Sequence, residues 1–273
     1  MRSREVDPLL ELGVRPLSAR SVVLSLLLGA HPPQLPARQL VRCVEEFGVS
    51  EATVRVALTR MVSAGDLARD GSVYRLSERL IERQRVQDAL MNPRVVTWDG
   101  NWQLTVVIAT GRSRPERNDL RAALTSLRLA ELREGVWLRP ANLSDEPADG
   151  WSFLRGQIDE VTQQFLSRPT GDPVELARTL WPLESWATTA RKLVRGLSAT
   201  SEPVHRFAAA TATPRHLLLD PILPPDLLPA DWPARELRDV YGRYLEELTA
   251  IARSGEDPAA RDHDRADRGT CVD

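Results

Sequence analysis

The segment from Gly48 to Ser77 constrains the fold more than any other part of this 273-residue chain. Ser50 suits the N-cap of a helix, because its hydroxyl can accept a hydrogen bond from a free N–H group of the first turn. Gly65 marks the end of that helix. Asp70-Gly71-Ser72 lies between two short runs that contain apolar residues and is typical of a tight hairpin turn. The segment therefore predicts a short helix followed by a β-hairpin.

The two faces of the predicted helix differ in character. Apolar residues recur at helical spacing and define one face: Val54, Ala57, Leu58 and Met61. At about 100° per residue, the opposite face carries small and polar residues between two arginines: Ala52, Val56, Thr59 and Ser63, with Arg55 and Arg60 beside them. Such a helix fits the major groove of DNA, and a basic hairpin behind it can reach phosphates or the minor groove. The pattern favours a winged helix-turn-helix, although a helix followed by a hairpin also occurs in domains of other function.

Seven residues of this segment are candidate DNA contacts. We expect those on the helix to contact base edges or phosphates, and those on the hairpin to contact phosphates whatever the sequence. They are Ser50, Thr53, Arg55, Thr59, Arg60, Arg69 and Arg75. Thr53 has an alternative role as a hydrogen-bonding residue at the start of the helix.

The residues before and after this segment complete the predicted unit. Ser18 can cap a helix that runs to about Gly29, and His31-Pro32-Pro33 interrupts it. Ala37 to Phe47 forms a second helix before the turn at Gly48. Glu78 to Met91 forms a charged connector helix after the hairpin. Three helices and a wing within some sixty residues form a consistent winged helix-turn-helix.

The distribution of charge supports a polyanionic partner for the front of the chain. Residues 1–140 hold 21 Arg against 16 Asp and Glu, whereas residues 141–273 hold 15 Lys and Arg against 22 Asp and Glu. The net charge of −2 is therefore the sum of +5 and −7. The two cysteines imply no disulfide framework, and neither a run of about 18 apolar residues nor a signal sequence is evident. We expect a cytoplasmic protein with no membrane partner.

The rest of the chain predicts a small α/β layer and then helices. A strand over Gln103 to Thr110, a helix over Arg117 to Leu127 and a strand over Gly135 to Pro140 suggest a ferredoxin-like layer, with a further strand near Phe153 to Ile158. Helices are then expected in three places: Val174 to Leu197 with an interruption at Pro182, Val204 to Leu219 with a break at Pro214, and Arg235 to Arg253. The fold class is therefore α+β.

These elements divide the chain into five segments. We expect a flexible N-terminus over 1–17 and a winged helix-turn-helix with its connector helix over 18–93. A ferredoxin-like middle domain over 94–170 and a helical C-terminal domain over 171–253 follow. A charged tail over 254–273, poor in apolar residues, is expected to be disordered.

Three segments carry a resemblance to a known family. They are Val54–Met61 with Gly65, Gly71 and Tyr74–Ser77; Trp98–Trp102 with Gly135–Pro140; and Asp220–Pro224 with Leu227–Pro229 and Asp231–Pro233. They occur in the family's order over residues 18 to about 250. On these residues the chain resembles the PaaX-like transcriptional regulators, which repress phenylacetate catabolism and related pathways.

The resemblance implies a function and a set of partners. It implies three domains in the order given above, a double-stranded DNA operator, and repression by a dimer. Members of the family release DNA when an acyl-CoA such as phenylacetyl-CoA binds, so the resemblance implies an acyl-CoA-type effector. We expect no cofactor. A dimer is also expected because one recognition helix offers few base contacts and a twofold dimer doubles them. We place its interface in the middle or C-terminal domain.

An acyl-CoA effector requires an apolar pocket for the acyl group and cations for the phosphates. Candidates for both occur on one predicted helical stretch: Trp181 and Trp186, followed by Arg191, Lys192 and Arg195. Arg117 and Arg121, on the helix of the middle domain, are competing phosphate partners. The alternative interpretation is that both tryptophans belong to the core and that the basic triplet is a solvated helix end.

The residues provide no constellation for catalysis, and we expect the protein not to be an enzyme. No P-loop, Gly-x-Ser-x-Gly, His-Glu-x-x-His or Cys-x-x-Cys motif occurs, and the histidines at 31, 205, 216 and 263 lack metal-binding spacing. Two alternatives stay open. One is a ferredoxin-like metal-dependent nuclease, for which Asp99 precedes a first strand that has no acid of its own; the other is an architectural DNA-binding protein without an effector.

Overall fold

The computed structural model describes residues 18–144, 158–198 and 202–253, which form two compact units. The first unit contains residues 18–81 and 243–253, and the second contains the described residues from 82 to 242. The predicted flexible N-terminus (1–17) and disordered tail (254–273) lie outside the described residues, as does the predicted strand near Phe153 to Ile158 except for its last residue.

Three helices form the body of the first unit, close to where the sequence predicts them. They are α1 (Ala19–Gly29), α2 (Ala37–Glu45) and α3 (Glu51–Ser63). Ser18 and Ser21 cap α1 reciprocally, and Ser50 caps α3 by accepting a hydrogen bond from the N–H of Thr53. After α3, Gly65 has a φ of +70° and the N–H of Asp66 donates to the carbonyl of Met61 at 2.9 Å. This Schellman arrangement explains why glycine ends the helix.

A three-stranded antiparallel sheet completes the first unit. Its strands are β1 (Gln34–Pro36), β2 (Leu67–Asp70) and β3 (Val73–Leu76), in the order β1-β3-β2. The hairpin of β2 and β3, which we call the wing, turns at Gly71, whose φ is +55°. Positive φ is tolerated best by glycine, so the Asp-Gly signal predicted this turn. β1 was not predicted, because a three-residue strand that includes a proline has no readable periodicity.

A buried carboxylate connects the start of α1, the end of α3 and the next helix, α4 (Glu78–Met91). The side chain of Asp66 is 5% exposed and lies 2.8 Å from a guanidinium nitrogen of Arg20 and 2.6 Å from one of Arg79. Both arginines keep most of their surface in solvent. The carboxylate thus receives charge-assisted hydrogen bonds from two elements and fixes the loop that follows α3.

The second unit begins with a four-stranded antiparallel sheet. Its elements are β4 (Trp102–Val107), α5 (Arg114–Ser126), β5 (Ala130–Arg133), β6 (Val136–Pro140) and β7 (Thr162–Ser167), and the strand order is β5-β6-β4-β7. This order, with α5 between the first two strands, is that of a ferredoxin-like layer. The sequence predicted β4, α5 and β6 but neither β5 nor β7, and it extended β4 beyond Val107.

Opposite faces of this sheet pack against different layers. On one face, Trp137 packs with Leu120 and Leu124 of α5 and with Ile158. On the other face, Trp102 and Leu138 pack with residues of the C-terminal segment such as Leu183 and Leu223. Both faces of the layer are therefore covered, and the middle and C-terminal segments share a core within the second unit.

The C-terminal segment is helical. It contains α6 (Pro173–Leu180), α7 (Leu183–Ser198), α8 (Pro203–Leu217), a 3₁₀ turn (Pro225–Leu227) and α9 (Ala234–Arg253). The predicted interruption at Pro182 is confirmed, because it separates α6 from α7. Among the described residues, no helix is both long enough and apolar enough to cross a membrane.

The predicted break at Pro214 is wrong. The helix α8 continues through Pro214 to Leu217, although the proline removes one N–H donor. Close packing of α8 against α7 compensates for this loss: a Cβ atom added at Gly196 would lie only 2.9 Å from the Cβ of Ala209. The buried hydroxyl of Thr213 also donates to the carbonyl of Ala209 at 2.8 Å. Tertiary packing therefore outweighs the local helix-breaking tendency.

The last helix contributes residues to both units. Within the second unit, the side-chain amide of Gln87 on α4 donates to the hydroxyl of Tyr241 at 3.1 Å. Within the first unit, Cys43 of α2 lies 3.8 Å from the carbonyl oxygen of Leu248. Burial raises the pKa of the Cys43 thiol to about 12, so this cysteine is a neutral core residue.

Candidate nucleic-acid interface and ligand cavity

The predicted outward face of α3 is exposed in the structure. Its apolar residues Val54, Leu58 and Met61 are buried, whereas the opposite stripe faces solvent. That exposed stripe, with its flanking side chains, consists of Ala52, Thr53, Arg55, Val56, Thr59, Arg60 and Ser63. All four predicted contacts within α3 are thus accessible, and so is the capping residue Ser50.

The hydroxyl groups on this face also have local roles. The Oγ atoms of Ser50 and Thr53 lie 3.0 Å apart at the helix start. The hydroxyl of Thr59 donates to the carbonyl of Arg55 at 3.0 Å, one turn earlier. Ser50 and Thr53 therefore serve the start of α3 whatever else they contact, and the hydroxyl of Thr59 is partly committed to its own helix.

Arg55 is held in place along its own helix. Its guanidinium lies 2.6 Å from Oε1 of Glu51, one turn earlier, and both side chains are at least half exposed. An exposed ion pair of this kind contributes less than about 1 kcal/mol. A phosphate or a guanine edge can therefore replace Glu51 at little cost.

The two predicted wing arginines lie on opposite faces of their sheet. Arg69 of β2 is directly opposite Tyr74 of β3, and its guanidinium carbon lies 5.7 Å from the centre of the Tyr74 ring. Arg69 also donates to the carbonyl of Gly71 at 2.8 Å. Arg75 follows Tyr74 on the same strand, so it points to the other face, where Asp70 is 4.0 Å away. The sequence predicts the same role for the two arginines, whereas the structure places them on different faces of the sheet.

A depression of about 660 Å³, which we call the wing groove, lies between α3, the start of α2 and the wing. Its lining includes three arginines and no acidic residue: Pro36, Ala37, Arg38, Val41, Arg55, Leu58, Thr59, Arg69, Ser72 and Tyr74. Arg75 and Arg60 are not among these residues. The wing groove therefore concentrates positive charge beside the exposed stripe of α3.

Arg38 is a candidate contact that the sequence analysis missed. It is the second residue of α2, is exposed, and lines the wing groove with Arg55 and Arg69. Its position at the start of the second helix of the predicted three-helix unit was the available signal, since helix N-termini favour anions.

The second unit contains a separate cavity of about 490 Å³, which we call the tryptophan cavity. Its walls come from α5, the strands β5 and β6, the α6–α7 junction and the segment after α8. Aromatic and aliphatic side chains supply much of the lining, including Trp137, Trp181, Trp186, Leu183 and Leu218. Volume and lining are those of a small-molecule site.

The two predicted tryptophans play different parts in this cavity. Trp186 is 5% exposed, stacks between His216 and Trp232 at centroid distances of 4.5 and 4.6 Å, and donates to the His216 carbonyl at 3.2 Å. Trp181 is only half-buried and stacks on Trp102 at 6.3 Å. Trp186 therefore forms a rigid wall, while Trp181 presents more of its surface.

The predicted cations divide between two places. Arg191, Lys192 and Arg195 do not line the tryptophan cavity, and Arg191 instead forms an ion pair with Asp231. Arg121 does line it, beside Glu131 at 2.8 Å, and also lines an adjacent depression together with Arg117. The structure thus brings Trp181, Trp186 and Arg121 together, with Arg117 next to them, and does not add the basic triplet.

Further charged or titratable groups line the cavity, namely Arg128, His216 and Asp220. Arg128 is the second residue after the end of α5 and has a φ of +67°, just as Gly65 is the second residue after α3 and has a positive φ. The buried guanidinium of Arg128 donates to the carbonyl of Leu218. Burial lowers the pKa of Arg128 to about 10, against the opposing effect of Asp220. Burial also lowers the pKa of His216. His216 is therefore a neutral hydrogen-bonding side chain at pH 7.

The carboxylate of Asp99 has a structural role in a turn. Its oxygens accept hydrogen bonds from the backbone and side-chain N–H groups of Asn101 at 3.0 and 2.7 Å, and these bonds lower its pKa. The side chain of Arg168 packs against Gly100, whose φ is +88°. Within the described ranges, no group of three His, Cys, Asp or Glu side chains is arranged to hold a metal ion.

Comparison with known proteins identifies the class of protein. Three domain families match in succession: "PaaX-like protein" over residues 18–80, "PaaX protein central Cas2-like domain" over 95–170 and "PaaX-like protein C-terminal domain" over 174–255. The chain belongs to the PaaX-like family. This membership is consistent with a regulator of phenylacetic acid catabolism.

Among solved structures, the chain is similar to the uncharacterized protein Rv0674 from Mycobacterium tuberculosis. The two share 42% sequence identity with a TM-score of 0.75, over 87% of this chain and 98% of that one. No curated protein matches the chain at a significant level.

Proposed function

We propose that this protein is a sequence-specific, DNA-binding transcriptional repressor of a catabolic operon and that it has no catalytic activity. The observation that carries the proposal is the wing groove, because it lies beside an exposed helix stripe and is lined by three arginines and no acid. In this arrangement α3 enters the major groove of the operator and the wing contacts the flanking backbone. Membership of the PaaX-like family supports the same role.

We propose further that an acyl-CoA, such as phenylacetyl-CoA, binds in the tryptophan cavity and releases the protein from its operator. The acyl group would occupy the apolar part of the cavity next to Trp181. The phosphates would lie toward Arg121 and Arg117, since these cations line the cavity and the adjacent depression. A hundredfold loss of DNA affinity requires about 2.7 kcal/mol of differential binding between the two states.

A homodimer completes the proposal. Two recognition helices double the base contacts and match a palindromic operator. Strand β7 supports an interface in the second unit, since it is an edge strand on which Phe165 and Leu166 are 48% and 72% exposed. An edge strand with exposed apolar residues favours pairing with another chain.

The DNA-binding part is tested by selection from a pool of random duplexes with the full-length protein. We expect a single enriched motif, bound by the wild type and bound at least tenfold more weakly by Arg60→Ala, which removes an exposed cation from the stripe. Arg178→Ala is the matched control, because Arg178 is an exposed helical arginine of the second unit. Absence of any enriched motif would refute the proposal.

Two added arms separate the alternatives. Incubation of the bound duplex with Mg²⁺ or Mn²⁺ tests for cleavage, which a nuclease would give and a repressor would not. Titration with phenylacetyl-CoA, acetyl-CoA, free CoA and phenylacetate tests for release, which an architectural protein would not show. Because coupling is reciprocal, the operator must weaken binding of the releasing compound by the same factor by which that compound weakens operator binding.

A further inference from the structure

The exposed stripe of α3 contains one side chain that does not fit a purely polar surface. Val56 is 51% exposed and lies in the middle of the stripe, one turn after Ala52 and one turn before Thr59 and Arg60. Among the described residues from 18 to 81, it is the one large apolar side chain that is mostly exposed.

The fold of the first unit does not require a valine at this position. Val56 points away from the buried face of Val54, Leu58 and Met61, because two residues along a helix correspond to a rotation of about 200°. Alanine has the higher helix propensity, and it would leave less apolar surface in water. Neither packing nor helix stability therefore accounts for the side chain.

The neighbours of Val56 indicate the kind of partner that it meets. Arg55 and Arg60 flank it, and Thr59 is exposed while its hydroxyl bonds to the helix. One valine among cations is too small an apolar patch for a protein partner, which needs several hundred Å². Duplex DNA combines a phosphate backbone with isolated apolar groups, namely the thymine methyl groups in the major groove.

We propose that Val56 recognises thymine methyl groups of the operator and is a specificity-determining residue of α3. This inference rests on the proposed DNA-binding function and adds the base that this position selects. A valine in a helix has one strongly preferred χ1 rotamer, so its two methyl groups are already oriented toward the partner. The operator should accordingly contain a thymine, in each half-site, at the position that Val56 contacts.

The size of the effect follows from the area that one methyl group buries. Burial of one CH₂-sized group contributes about 0.8 kcal/mol, and 1.4 kcal/mol corresponds to a tenfold change in affinity. Replacement of the contacted thymine by uracil, which removes only the methyl group, should therefore weaken wild-type binding about fourfold in each half-site.

The experiment uses the full-length protein and the motif enriched from random duplexes. Each thymine of the motif is replaced in turn by uracil, and Kd is measured by fluorescence anisotropy for the wild type, Val56→Ala, Val56→Thr and Val204→Ala. Val204→Ala is the matched control, because Val204 is an exposed helical valine of α8 in the second unit. Circular dichroism and thermal unfolding confirm that each variant is folded.

We expect one thymine per half-site whose replacement costs the wild type and Val204→Ala about fourfold and costs Val56→Ala close to nothing. Val56→Thr, which keeps one methyl group, should show a penalty smaller than that of the wild type and serves as the second variant if Val56→Ala binds too weakly to titrate. An equal uracil penalty in wild type and Val56 variants, or no sensitive thymine, overturns the inference while DNA binding stands. A protein that enriches no motif at all instead overturns the proposed function itself.

Discussion

Removal of Arg69 should change the salt dependence of DNA binding, whereas removal of Arg75 should not. Both are exposed arginines on the two paired strands of the wing, and Arg75 is the residue after the partner of Arg69, yet only Arg69 lines the wing groove. Arg75 lies on the other face of the same sheet, near Asp70. Because strand residues alternate between faces, a DNA backbone that occupies the wing groove contacts Arg69 and not Arg75.

The magnitude follows from counterion release. Each neutralised phosphate contributes about 0.9 to the slope of log K against log salt concentration. Arg69→Ala should thus reduce the slope by about 0.9 per protomer and about 1.8 per dimer. When the salt concentration rises from about 50 to 200 mM, the affinity of both proteins falls. The factor by which it falls should be about tenfold smaller for the dimeric variant than for the wild type.

Fluorescence anisotropy over this salt range, on the enriched motif and on a scrambled duplex, measures both slopes. Arg69→Ala should lower the slope on both duplexes, because a phosphate contact carries no sequence information. Arg75→Ala, matched in residue type and exposure, should keep the wild-type slope. Equal slopes for the two variants would show that the backbone does not occupy the wing groove.

The remaining predictions concern stability, induction and assembly. Asp66→Ala should destabilise the first unit by about 2–3 kcal/mol in urea unfolding, since it removes charge-assisted hydrogen bonds to a buried carboxylate; an unchanged midpoint would contradict this. Trp181→Ala should abolish release by phenylacetyl-CoA while operator affinity stays at the wild-type value, and normal release would exclude the tryptophan cavity as the site. The double variant Phe165→Glu, Leu166→Glu should be monomeric in light scattering. If the variant is still a dimer, the interface does not involve strand β7. His216 has a lowered folded pKa, so the unfolded state binds more protons and stability should fall as pH drops through about 6.5; His216→Gln should reduce that fall.

The recognition helix and wing could be predicted from sequence because their determinants are local. Ser50 caps α3 directly, and Gly65 and Gly71 supply the positive φ that the helix end and the hairpin require. The apolar positions of α3 also alternate with the exposed stripe at helical spacing. Strand β1 escaped prediction because its existence depends on pairing of Leu35 with Tyr74, far along the chain.

The missing strands of the middle domain have comparable physical reasons. Strand β5 has four residues, of which only Ala130 is buried, and it follows a helix end formed by Arg128 where glycine is usual. Strand β7 is an edge strand whose residues are mostly exposed, with Gln163 and Gln164 beside two apolar residues. Neither shows the alternation by which a half-buried strand is recognised, so the ferredoxin-like order could be predicted only from β4, α5 and β6.

The tryptophan cavity shows why a ligand site is harder to predict than a helix. Proximity along the chain favoured a site formed by Trp181, Trp186 and the basic triplet, with Arg117 and Arg121 as competing phosphate partners. In the structure, Arg121 of α5, which precedes both tryptophans by sixty residues or more, lines the cavity, and so does His216 at the end of α8. A cavity is lined by elements that the fold brings together, so the sequence could name Arg117 and Arg121 as candidate phosphate partners but could not decide between them and the basic triplet. The cations that matter for the proposed effector should therefore be those of α5, and not those that follow Trp186 on its own helix.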